Sequence, residues 1–323
     1  MKIKILPLIV IGFMVLNGCD LDREVNTNLT EQQVNETFSY SENRLYAIYG
    51  TLEYGFYPIG NAMRSSATDD AEFTNEAAGI QKFNTGNWNE ISNPDNVWDR
   101  YYTGIFKANM FLENTDEINL DVDRLDPSPS AQEVYRTNLI EIEHWKSEAR
   151  FLRAYFYFEL IKRYGGVPLV TEALEVDDNY QDVNRATLDE CIQFILDECN
   201  FVANNLPAHN EYASGELGRI TSGMALALKS RLLLYAASDL FNDPSWASGF
   251  SQPQLIASQN GGRMEKWEAA ANAAKTVIEL PDYSMDPDYE NIFEDFTSSE
   301  IIFSRREQNK NDFERINYPV GMV

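Results

Sequence analysis

The stretch SEARFLRAYFYFELIKRYGGVPLV, residues 147–170, packs Phe151, Leu152, Tyr155, Phe156, Tyr157, Phe158, Leu160 and Ile161 into one helical run. A surface helix keeps a single apolar stripe, whereas one that is apolar nearly all round must be enclosed by other elements. Gly165 supplies a C-cap and Pro168 forbids resumption, so the helix ends there and GGVPLV leaves as an extended segment. Upstream, Pro127 and Pro129 break the chain, which predicts helix from about Ala131 to Tyr164.

The flanking sequence supplies helical neighbours. Leu45, Ile48, Tyr49 and Leu52 recur at helical spacing in residues 37–55, and Trp98, Tyr101, Tyr102, Ile105, Ala108 and Leu112 do so in residues 97–118. Asn109 interrupts that second face. A polar amide on an apolar stripe must find hydrogen-bond partners, so it is expected to tie a loop to the helix.

Further helices are predicted at about Leu188 to Asn205 and Thr221 to Leu240, joined by the polar turn PAHNEYASGELG, then at RMEKWEAAANAAKTVIEL and DYENIFEDF. A strand-like run, EIIFSRR, follows. Small residues (Ala225, Ala227, Ala236, Ala270, Ala271, Ala274) occupy close-contact positions, which suggests tetratricopeptide-like helix pairs. The spacing drifts too far for a strict 34-residue period. The fold expected is mainly α, with helix pairs stacked into an α-α superhelix, long irregular loops and a few short β-strands.

The chain has 323 residues, 44% of them hydrophobic, ample for a large core. With 26 Lys and Arg against 51 Asp and Glu, a phosphate backbone finds little to neutralise it, which argues against nucleic acid and other polyanions. Residues 1–18 read as a signal peptide: Lys2 and Lys4, an apolar core from Ile5 to Leu16, then Leu16-Asn17-Gly18-Cys19, the form of a lipoprotein cleavage site. That apolar run falls short of the ~20 residues a spanning helix needs. Cys191 and Cys199 lie eight residues apart on one predicted helix, about 12 Å along its axis and beyond disulfide reach, so both are expected as buried thiols.

Chemistry-bearing motifs are sparse. Two histidines in the whole chain are poor material for a metal centre, and Glu141-x-x-His144 lacks the second such pair a di-iron site needs. DVDRLD, residues 121–126, lacks the glycine and terminal glutamate of a calcium loop, leaving only a structural Ca²⁺ open. Neither a Gly-x-Ser-x-Gly elbow nor a phosphate-binding Gly-rich loop is present. No cofactor is expected.

The irregular stretch is different. Residues 56–96 are rich in Gly, Asn, Asp and Thr with scattered aromatics, and long loops of this kind are commonly functional. Sugars are held by flat aromatic faces and a few polar groups that fix hydroxyls. Trp88, flanked by Gly86, Asn87 and Asn89, suits an exposed turn; it either stacks on a ligand or anchors the loop to the core. Asn87, Asp69, Asp70, Arg64 and Tyr57 are secondary candidates. Trp98, Trp145 and Trp267 sit on helical faces and are expected in the core, while Trp246 lies on a loop with either role open.

Taken in order, the Cys19 motif, the Trp98-to-Asn109 face, EARFLRAYFYFELIKRYGGVPLV, GRITSGMALALKSRLLLYAA, WEAAANAAKTVIEL and SSEIIFS resemble the SusD/RagB family over residues 1 to about 305. The resemblance implies an outer-membrane lipoprotein of Bacteroidota, lipidated at Cys19 and exposed at the cell surface. It also implies non-enzymatic capture of glycan, or less often peptide, for a partner TonB-dependent SusC-like transporter that docks on the helical side. A purely structural partner of the transporter is the remaining reading. The implied domains are a signal peptide at 1–18, a lipidated tether at 19–35 and a helical domain at 36–300 that carries the ligand loop 56–96. Residues 300–323 read as the start of a C-terminal subdomain, because family members continue past this point and draw ligand contacts from both halves.

Overall fold

Phe151, Leu152, Phe156, Tyr157, Phe158, Leu160 and Ile161 are all buried because the helix that carries them is enclosed on several sides. The computed structural model describes residues 29–55, 59–60, 62–175 and 177–305. Cys19, Tyr57, the signal peptide and the residues after 305 lie outside that set.

The helices that matter are α1 (Glu31–Glu36), α2 (Phe38–Tyr49), α3 (Gln81–Thr85), α4 (Trp98–Asn114), α5 (Asp121–Leu125), α6 (Pro129–Tyr164), α7 (Leu188–Asn205), α8 (Ser222–Ala237), α9 (Asp239–Asn242), α10 (Arg263–Ile278) and α11 (Asn291–Glu294). Helix α6, with 36 residues, is the spine. It packs against α2, α4, α7 and α8, and α8 in turn carries α10. Each large helix thus packs on its neighbours along the chain, as expected of a tetratricopeptide-like stack. Burial on α6 begins at Ile142, so its first three turns project beyond the core and meet mainly α5.

Local chemistry sets the helix ends. Ser128 caps α6 by accepting from the Ala131 amide at 3.3 Å, and Pro129 occupies the first helical position, where it costs no hydrogen bond. Thr187 and Glu190 form a reciprocal capping box on α7. Gly165, at φ 71°, closes α6 by donating its amide to Ile161. Asn109 does what its position requires: its amide donates to the carbonyls of Val170 and Glu172, both at 3.0 Å, pinning the segment that leaves α6.

Some expectations change. Trp145 is core at 2% exposure and Trp98 is partly buried, but Trp267 is 38% exposed on α10. The reason is that α10 meets α8 through its alanine side, and Ala270 is its one residue classed as buried. Ala271 lies exposed on the same helix. The predicted helix at DYENIFEDF shrinks to the single turn α11, and EIIFSRR pairs with no strand among the described residues. The one strand-type pairing described is an isolated bridge between Ile59 and Ala62. The last residues of the expected tether are helical, since α1 begins at Glu31 and buries Asn35. No helix of the described residues is long and apolar enough to cross a membrane.

Cys191 and Cys199 are free and buried. Burial pushes the first thiol up to about 11 and the second to about 12, against 9.0 for an exposed thiol. A thiol whose folded pKa is raised favours the folded chain below pH 9 and loses that contribution as pH climbs toward 12. In a Cys19→Ser variant, a thiol reagent at neutral pH is therefore expected to leave both unlabelled until denaturant is added. Stoichiometric labelling of the native protein within minutes would contradict their inert character.

Candidate functional site

The excursion between α2 and α4 is not structureless. Ile59, Ala62 and Ile80 form a small core of their own, lined by Ala67, Phe73, Ala78 and Phe83. A 3₁₀ turn at Arg64–Ala67 and the helix α3 flank it. The two arms are joined where the Asn84 side chain donates to the Ser66 carbonyl at 3.0 Å.

Trp88 projects from the turn after α3 and is 51% exposed. Gly86, at φ 70°, ends α3 in the left-handed conformation, and the Asn87 amide returns to the Lys82 carbonyl at 3.0 Å. Beyond Trp88, the Asn89 carboxamide accepts from the amides of Ile91 and Ser92 at 3.0 and 2.9 Å. The Lys82 ammonium donates to the Ser92 hydroxyl at 2.7 Å. Behind the indole stands Phe83, ring centroids 5.7 Å apart. Trp88 thus rests against Phe83 while half of its side chain faces solvent.

The other candidates divide. Asn87 is exposed on the same turn as Trp88. Asp69 and Asp70 are exposed on the other arm; Asp70 receives the Thr68 hydroxyl at 3.3 Å, and its own amide donates to that hydroxyl at 3.2 Å. Arg64 is not a free ligand group. It is paired with Glu53 and lies 3.6 Å from Asp95. Sequence reading passed over Phe83, although it stands five residues before Trp88 across a helix-ending glycine. Trp246, 60% exposed, holds its ring N–H toward the Leu240 carbonyl at 3.4 Å, away from this loop's sequence.

Buried carboxylates elsewhere are engaged in holding helices together. Glu148 accepts from Tyr49 and Arg219, and burial raises its pKa against the pull of the guanidinium. Glu198 accepts from Arg150 and Arg153. Glu141 is drawn to Arg219 at 2.7 Å and stands 3.9 Å from His144, whose pKa is lowered by burial. His144 is partly buried. Among the described residues no group of three or more His, Cys, Asp or Glu is arranged to hold a metal ion, and Asp121, in the stretch 121–126, pairs with Arg124.

The profile of a SusD-like family, described as starch-binding and associating with the outer membrane, matches residues 29–234. A SusD-like protein of Formosa agariphila is 24% identical over 247 residues, which cover 72% of this chain and 42% of that one. The crystal structure of a SusD-like protein from Bacteroides fragilis aligns with a TM-score of 0.64 at 24% identity, over 87% of this chain and 47% of the other. A SusD-like carbohydrate-binding protein from the same species aligns at 0.61 and 21% identity, over 84% and 46%. The chain therefore spans less than half the length of these relatives.

Proposed function

This chain belongs to the SusD-like family, and from that premise we propose that it is a lipid-anchored cell-surface protein that captures glycan and passes it to a partner TonB-dependent outer-membrane transporter. It breaks no bonds; its work is binding. The observation that carries this reading is Trp88: a half-exposed indole, backed by Phe83 and fixed by the Asn89 turn, offers the flat apolar face on which a pyranose ring stacks. Asn87, exposed beside it, supplies a carboxamide for sugar hydroxyls, and Asp69 and Asp70 add acceptors on the neighbouring arm. The motif Leu16-Asn17-Gly18-Cys19 supports the anchor, and the carbohydrate-binding relative supports the ligand class.

The test is affinity electrophoresis in gels containing soluble starch or one of a panel of other polysaccharides, with Trp88→Ala alongside. At least one polysaccharide is expected to retard the wild type, and the variant should run freely while keeping its helical circular dichroism. Losing the contact with Phe83 costs about 0.5–1.5 kcal/mol, too little to unfold the helical scaffold. Equal retardation of both proteins removes Trp88 from the site. If no polysaccharide binds and a peptide panel does, the ligand class changes; if neither binds, only the docking role survives.

A further inference from the structure

We propose that Arg64, Asp95 and Arg163 are positioning residues that clasp the neck of the Trp88 loop to the helical spine. The excursion leaves the scaffold after Glu53 and returns at Asp95, and the Arg64 guanidinium lies between those two carboxylates. One side chain from inside the loop therefore joins its two ends. Asp95 also accepts from Arg163 near the end of α6 at 2.8 Å, and Arg163 pairs with Glu159 one turn earlier at 2.8 Å. On the other side Glu53 is shared with Arg100 of α4 at 3.3 Å. The neighbouring Tyr164 hydroxyl donates to the Asn96 carboxamide at 2.8 Å and accepts the Val97 amide at 3.1 Å.

Exposure falls inward along this chain of ions, from 44% at Arg64 to 20% at Asp95, 14% at Arg163 and 7% at Glu159. The inner pairs are accordingly screened less by solvent than the outer one. The loop needs such a fastening. Three buried apolar residues are a small core for an excursion of this length, and ordering its backbone opposes what they contribute. Arg64 thus acts on ligand through the loop's shape, without touching it. That last step rests on the assignment of Trp88 as the stacking group; the clasp itself does not.

Hydrogen exchange on the full chain, without ligand, tests the clasp separately. Arg64→Met keeps the apolar stem and removes the charge, and Asp95→Asn severs the link from the other side. In each, amides of residues 62–92 are expected to exchange at least tenfold faster, while those of α6 and α7 stay within twofold of wild type. Arg64→Lys should fall between, because an ammonium lacks the fork that can reach two carboxylates. Loop exchange unchanged in both Arg64→Met and Asp95→Asn overturns the proposal, as does acceleration spread evenly over all helices. Fast loop exchange in both variants, where the wild type itself retains no polysaccharide, upholds the clasp and refutes the assignment of Trp88.

Discussion

Replacing Gly165 by alanine is expected to destabilise the protein by about 3 kcal/mol or more and to lower its melting temperature by roughly 6–12 °C. The residue has φ 71° and ψ −143°, a backbone region that L side chains rarely enter. A methyl group there would also stand 2.2 Å from the Leu255 carbonyl oxygen, which is backbone and cannot swing aside. That carbonyl accepts the Gly166 amide at 2.6 Å, and a methyl on Gly166 would meet the Ala186 carbonyl at 2.2 Å. The end of α6, the 255 segment and the entry to α7 thus meet without room for one carbon. Two controls separate strain from collision. Gly86 shares a positive φ of 70° but has open space around it, so its alanine variant should cost only about 1 kcal/mol. Gly215, open and without that strain, should tolerate alanine within about 0.5 kcal/mol. A Gly165→Ala protein melting within 2 °C of wild type would show that the junction can relax.

The same junction shows which features the sequence could reveal. The α7 limits, Leu188–Asn205, were legible because Thr187 and Glu190 form a local cap and the apolar residues keep one face. Asn109 was legible because an amide on an apolar stripe has to be satisfied. Pro129 reads as a breaker, yet it sits at the start of α6, since a proline ends one helix and begins another equally well. Trp267 is apolar at helical spacing, but spacing does not say which face a neighbour covers, and α8 takes the alanine side. The ion pairs of Arg64 were illegible for a related reason. Its partners lie 11 and 31 positions away, and ion pairs at that separation are set by how the loop folds back. The exposed turn at Trp88 was legible from its Gly and Asn neighbours, whereas the contact with Phe83 depends on the left-handed step at Gly86.

Glu198→Gln is expected to cost about 3–5 kcal/mol, because it leaves the Arg153 cation in the core without a counter-ion. The Glu198 side chain is 5% exposed and that of Arg153 8%. Arg153 donates to Glu198 at 3.1 Å, to the Asn109 carboxamide at 2.8 Å and to the Thr171 carbonyl at 3.2 Å. One guanidinium therefore joins α4, α6, α7 and the segment that Asn109 pins. With Gln at 198 the remaining acceptors are neutral, and Arg150, 29% exposed and lying over Phe201, adds a second uncompensated charge nearby. Arg153→Met should cost less, about 1–3 kcal/mol, since Arg150 still neutralises Glu198 through the contact at 2.7 Å. By contrast, removing an exposed pair such as Arg136 and Glu133 should change stability by less than about 1 kcal/mol. A double-mutant cycle with Arg153→Met and Glu198→Gln, followed by chemical denaturation, reads the coupling directly. If the double variant is no more stable than additivity of the two single losses allows, the ion pair does not hold the spine to α7, and apolar packing alone does.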